Sequence, residues 1–223
     1  MAAEDAVPQL PDRAGYFDRW AALHGGYDPR GNVLVRGWLL FAYAVARPLA
    51  AARVPPDLIT VTGLLVSVGA VALATGSGWW LLGAALVVVL AGLLDTVDGA
   101  VAVLRDRVTL WGSVLDSVTD RVGDSLFLVA LGVAGAPWQV CVVGGAVMFL
   151  QEYTRTRAGA AGMTEVGVVT VWERPTRVIV TAMFLAAAAL LGEPWPALGA
   201  WVWVGLGVVG LTQLLVVVRR RLT

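Results

Sequence analysis

Apolar positions run in six long blocks, each broken by a short polar or glycine-proline stretch. The blocks are Leu58–Thr75, Trp79–Leu104, Val108–Val133, Trp138–Thr154, Thr176–Leu191 and Trp195–Val218. A membrane-crossing helix needs about 20 residues, so each block predicts one span. The breaks at 76–78, 135–137 and 192–195 carry no arginine, whereas the others carry Arg105, Arg107, Arg155, Arg157, Arg174 and Arg177, and the end carries Arg219 to Arg221. Basic connections stay on the cytoplasmic side, so both termini are expected there, in agreement with an even number of spans. Trp79, Trp80, Trp138, Trp195, Trp201 and Trp203 then fall near the outer interface and read as lipid-facing belt residues.

The pattern before the first block differs. Residues 1–31 form a polar extension interrupted by Pro8, Pro11 and Pro29, with a frayed start and a short helix expected around Tyr16 to His24. Residues 32–54 are apolar but include Arg36, Arg47 and Arg53, which argues against a buried span. An amphipathic helix in the membrane interface fits, with Trp38, Phe41 and Tyr43 as anchors. Pro55-Pro56 is expected to end it, and Asp57 to cap the first span. The fold class expected is an all-α integral membrane protein: one interfacial helix, then a six-helix membrane domain over 55–223.

Composition sharpens this picture. The chain has 223 residues, 58% of them hydrophobic, above the roughly 45–50% of soluble domains. Net charge is zero, which removes a global basic field and with it nucleic acid as a partner. A single cysteine, Cys141, excludes an intrachain disulfide and a thiolate metal site, and reads as a small packing residue. The first 30 residues contain no apolar core of signal-peptide type. All 16 basic residues are arginine, and with the excess of Ala, Gly and Val this suggests a GC-rich coding sequence. His24, the only histidine, sits in a polar segment and receives no catalytic role.

Five carboxylates stand inside otherwise oily blocks: Asp95 and Asp98, then Asp116, Asp120 and Asp124. A charge at bilayer depth costs roughly 2.5–3.5 kcal/mol on insertion scales, so these five require compensation. Spacings of three and four place each set on one helix face. An oxygen-only donor set, with no His or Cys near, suits Mg²⁺ or Mn²⁺. Three or four carboxylates can hold two such ions, an arrangement that clamps attacking and leaving oxygens in phosphoryl transfer. Gly99, Ala102 and Gly112 add a small-residue surface that lets a bulky ligand approach the backbone. Asp124 reads as a structural partner of Arg121 or Arg157.

The string Asp95-x-x-Asp98-Gly99-x-x-Ala102, nine residues, Gly112-x-x-x-Asp116-x-x-x-Asp120 resembles the signature of the CDP-alcohol phosphatidyltransferases, D-x-x-D-G-x-x-A-R, eight residues, G-x-x-x-D-x-x-x-D. The six-span layout and the interfacial helix resemble that family too. The resemblance implies transfer of a phosphatidyl group from CDP-diacylglycerol to an alcohol with release of CMP, two metal ions (Mg²⁺ or Mn²⁺), a homodimer, and the bacterial cytoplasmic membrane. It implies Asp95, Asp98, Asp116 and Asp120 as metal ligands, with Asp120 also the candidate base. Thr60, Asp95, Gly99, Ala102, Arg107 and Gly112 are the expected CDP contacts. One position departs: the motif arginine after the alanine is Val103. Arg107, one turn on if the helix continues, is the expected substitute.

The segments Tyr153-Thr-Arg-Thr-Arg-Ala158 and Glu173-Arg-Pro-Thr-Arg177 look like elements of the phosphatidylinositol-phosphate synthase branch of that family. Carried over, Arg155, Arg174, Arg177 and Arg219 are the expected ligands of an acceptor phosphate, inositol phosphate being favoured. Simple positive-inside topology explains the same arginines. Glycerol 3-phosphate presents the same anion, so a phosphatidylglycerophosphate synthase competes closely. Two readings of other classes stand beside these: an ion-coupled transporter, since intramembrane acids also mark ion paths, and a catalytically silent lipid-binding paralogue, motivated by Val103.

Overall fold

The computed structural model describes residues 10–163 and 169–223. The polar start with Pro8 lies outside the described residues. Among these the chain is all helical: α1 (Arg13–Leu23), a 3₁₀ turn at Pro29–Gly31, α2 (Val33–Ala51), α3 (Pro56–Ala74), α4 (Trp79–Leu104), α5 (Leu110–Val133), α6 (Trp138–Ala160), α7 (Arg174–Leu191) and α8 (Trp195–Leu222). Among the described residues four helices, α3, α4, α7 and α8, are long and apolar enough to cross a membrane. Helices α5 and α6 have the length, with 24 and 23 residues. They fall short in apolarity because α5 carries Asp116, Asp120, Arg121 and Asp124, and α6 ends in the polar turns from Gln151 to Arg157.

The chain divides into two compact units, Met1–Thr60 with Asp95–Leu115, and Val61–Leu94 with Asp116–Thr223. In the first, the Asp12 side chain caps α1 by accepting from the Gly15 N–H at 2.8 Å. Tyr16 and Phe17 are buried, and the Tyr16 ring meets Tyr43 of α2 at 5.5 Å. Burial pushes the Tyr16 phenol up to about 12. Arg30 ties the 3₁₀ turn to α1, donating to Asp18 at 2.7 Å and to the Ala14 carbonyl at 3.2 Å.

Two expected helix ends are corrected here. Helix α2 stops before Pro55-Pro56: Arg53 adopts φ 60°, its N–H bonds Ala50 O, and the Val54 N–H reaches back to Leu49 O at 3.0 Å. This is a Schellman cap on a non-glycine residue. The same device closes α4, where Asp106 adopts φ 54° and the Arg107 N–H bonds Ala102 O at 2.9 Å. Asp57, expected as a cap, lies instead within the first turn of α3 beside Pro56. There its charge faces the positive end of the helix dipole.

In the second unit, apolar side chains of α3 to α8 form one core that includes Cys141, Phe127, Leu131, Met148, Leu185 and Trp203. Trp203 is fully buried, so it is no belt residue. Its ring meets Trp172 edge-on at 4.9 Å and its N–H donates to Thr181 at 3.0 Å. Trp79, Trp80, Trp138 and Trp201 are exposed. A Cβ at Gly210 would lie 2.6 Å from the Trp172 Cβ, so only glycine lets α8 pass this closely.

Candidate active site

Helix α4 turns Asp95 and Asp98 to one face, three residues apart. Asp98 is buried, and its Oδ2 accepts from the Thr60 hydroxyl at 2.5 Å. A Cβ built at Gly99 meets nothing within 4 Å, so the backbone there borders open space that a side chain would fill. Gly112 has a local reason to be small. Thr109 caps α5 by accepting from the Gly112 N–H at 2.9 Å, and a Cβ at Gly112 would sit 3.1 Å from that hydroxyl. Asp95, Asp98 and Asp116 make an acidic triad that can hold a metal ion, each offering one carboxylate oxygen. Hard divalent ions take such all-oxygen ligand sets.

Asp120, one turn beyond Asp116 on α5, lies outside that triad and reaches a group of arginines. It is ion-paired with Arg174 and lies 3.4 Å from Arg121. Arg121 also reaches Glu152 at 3.0 Å and Asp124 at 3.6 Å. Arg155 donates to Glu173 at 2.9 Å, and Glu173 also accepts from the Thr170 N–H and hydroxyl at 2.9 and 2.8 Å. Burial pushes the Glu173 carboxyl up, but these donors and the Arg155 charge outweigh it and hold it below the usual carboxylate range. Arg177 and Asp124 are fully buried against each other at 2.7 Å, and Arg177 also donates to Glu152 and the Trp172 carbonyl at 3.1 and 3.0 Å. Asp124 thus pairs with Arg121, one of the two partners expected, and more closely with Arg177, which was not expected. Arg219 is exposed on the last turn of α8.

Sequence reasoning missed Glu152 and Glu173 as organisers of these arginines, although Glu152 stands three residues before Arg155 on one helix face. It also missed Arg19. The condition attached to Arg107 fails, because α4 ends at Leu104 and the Schellman turn takes Arg107 off the helix, where it is exposed. Arg19 of α1 instead donates to the carbonyls of Val103 and Leu104 at 3.3 and 3.4 Å, placing a cation at the end of α4 where the motif arginine is absent. Nothing in the local sequence around 103 points to a partner 84 residues away.

Residues 53–218 match the family model described as CDP-alcohol phosphatidyltransferase. The chain belongs to that family. The archaetidylinositol phosphate synthase of Methanothermobacter thermautotrophicus is 35% identical over 145 residues, 63% of this chain and 70% of that protein. The phosphatidylinositol phosphate synthase of Mycolicibacterium smegmatis is 30% identical over 189 residues, 76% of this chain and 79% of that one. The phosphatidylinositol phosphate synthase of Mycobacterium tuberculosis has been solved with CDP-DAG bound, at TM-score 0.65 and 28% identity, covering 79% of this chain and 92% of that one. A second structure of the same enzyme holds manganese and citrate, at TM-score 0.66 and 29% identity, covering 79% and 88%. As a CDP-alcohol phosphatidyltransferase the protein is an enzyme of phospholipid synthesis, which sets aside the transporter reading.

Proposed function

We propose that this CDP-alcohol phosphatidyltransferase moves a phosphatidyl group from CDP-diacylglycerol to a hydroxyl of inositol phosphate and releases CMP. The observation that carries the donor half is the acidic triad beside the open backbone at Gly99. Asp95, Asp98 and Asp116 would hold the metal, with Asp120 as a further ligand at its edge, and two divalent ions fit the number of carboxylates. A divalent ion supplies positive charge that draws electron density from the pyrophosphate and eases departure of CMP. Gly99 and Ala102 of α4, with Thr60 of α3, shape the surface toward the nucleotide. Asp120 takes the proton from the acceptor hydroxyl as its oxygen bonds to the lipid-bearing phosphorus and the bond from that phosphorus to the CMP oxygen breaks.

The acceptor half is supported by the arginine-rich network, in which Arg155 and Arg174 keep partial exposure and Arg174 stands against Asp120. Arg219 supplies a further cation, and Arg177 underpins the group from within. The naming of the relatives as inositol phosphate lipid synthases favours inositol phosphate over glycerol 3-phosphate. We further propose six spans over 55–223, α2 lying in the interface, both termini on the cytoplasmic side, and a homodimer in the bacterial cytoplasmic membrane. Two charged helices, α5 and α6, cross by facing their charges to one another, as the Arg121–Glu152 pair does.

The test is CMP release by purified protein from CDP-diacylglycerol, with Mn²⁺ or Mg²⁺, against inositol phosphate, inositol, glycerol 3-phosphate, serine and no acceptor. Release with inositol phosphate is expected, falling more than about 100-fold in Asp116→Ala and on EDTA treatment. Release with glycerol 3-phosphate alone would change the acceptor and leave the chemistry. No release with any acceptor would favour the silent paralogue.

A further inference from the structure

The first unit holds a cavity of about 440 Å³ that the transferase chemistry does not use. Arg13, Leu40, Tyr43, Ala44 and Arg47 line it. The four α2 residues follow the i, i+3, i+4, i+7 spacing of a single helix face, and Arg13 is the first residue of α1. Among the described residues neither Arg13 nor Arg47 has an acidic partner; the ion pairs of this unit join Arg30 to Asp18 and Asp28. The nearest acid in sequence, Asp12, is committed to capping the Gly15 N–H. Tyr43 keeps its phenol at the cavity with its O–H directed to the Pro11 carbonyl at 3.3 Å. Two arginines among the residues that line one concavity, with Leu40 and Ala44 as its apolar part, suit an anion that carries an organic body. The planar fork of arginine matches phosphate best among biological anions. The volume exceeds what a bare ion requires and falls in the range of small-molecule sites.

We propose that the α1–α2 cavity binds a phosphate group, held by Arg13 and Arg47, with the attached organic portion against Leu40 and Ala44. Two sources offer that group, the headgroup of an anionic phospholipid and a soluble phosphate ester. None of the lining residues is among the carboxylates and arginines assigned to catalysis, so occupancy can be measured independently of turnover.

Hydrogen–deuterium exchange localises the effect, using the full chain in phosphatidylcholine nanodiscs. One arm adds inorganic phosphate, one adds glucose 6-phosphate, one replaces part of the lipid by phosphatidylglycerol, and one adds chloride at matched ionic strength. Protection of residues 10–47 is expected with at least one phosphate arm and not with chloride. Protection by phosphatidylglycerol alone identifies a lipid headgroup, and protection by the soluble esters identifies a free ligand. In Arg13→Gln with Arg47→Gln, binding should weaken by at least about tenfold per arginine, with helical content and CMP release unchanged. Arg13→Lys with Arg47→Lys should recover part of it. Absence of protection in every phosphate arm, or equal protection in the double Gln variant, overturns the proposal.

Discussion

Asp98 is buried, and the proposed metal site requires it ionised; the Thr60 hydroxyl at 2.5 Å supports that charge and fixes the carboxylate orientation. Thr60→Val keeps the shape and removes the donor. Manganese affinity, measured by electron paramagnetic resonance of free Mn²⁺, should fall 10–100-fold. Unchanged affinity would mean that Thr60 serves packing alone. Arg177 poses a different residue-scale problem, since it and Asp124 are both fully buried. Removing one partner of such a pair costs about 3–5 kcal/mol, because the other charge is stranded. Arg177→Met should therefore lower the thermal midpoint in detergent sharply, and Arg177→Met with Asp124→Leu should lower it less. These roles were only half legible in the sequence. Asp124 stood out as an acid in an apolar block, but its match with Arg177 depends on the packing of α5 against α7, which local spacing does not encode.

The helices themselves were largely legible, because blocks of apolar residues long enough to span a bilayer leave the backbone little alternative to helix. Their ends were less so. Arg53 and Asp106 close α2 and α4 in the left-handed conformation that glycine usually supplies, so no residue type marked those stops. The end of α4 is tied to two other segments: Arg19 donates to the Val103 and Leu104 carbonyls, and Arg105 itself donates to the Val54 carbonyl at 3.0 Å. Arg19→Ala should cost about 1 kcal/mol in stability and lower activity, and the loss should be smaller in Val103→Arg, which returns a cation to the same turn. An Arg19→Ala protein with full activity would remove that link. Between α6 and α7, Glu173 contributes through a lowered carboxyl pKa. A lowered folded-state value means that its stabilisation is complete above the ordinary glutamate range and is lost as pH falls through the folded value. Melting followed from pH 7 downward should show a loss below about pH 4.5 that is reduced in Glu173→Gln.

For the molecule as a whole, hydropathy marked a membrane protein and the spacing of the aspartates marked its chemistry, while the partners of the arginines emerged only from the fold. Metal binding should be felt across the chain. Manganese at about 100 times its dissociation constant adds about 2.7 kcal/mol to the folded state by mass action. The melting temperature should therefore rise with Mn²⁺ in the wild type and stay flat in Asp116→Ala.

Asp120, Asp124, Glu152 and Glu173 meet Arg121, Arg155, Arg174 and Arg177 in one group of matched charges. Such a group leaves its mark on inheritance. A single charge lost from it strands an opposite one in a poorly solvated place, whereas losing a plus and a minus together does not. Among descendants of this chain, Asp124 and Arg177 are therefore expected to persist or disappear as a couple, a record that can be read from diverged genes without purifying any of the proteins.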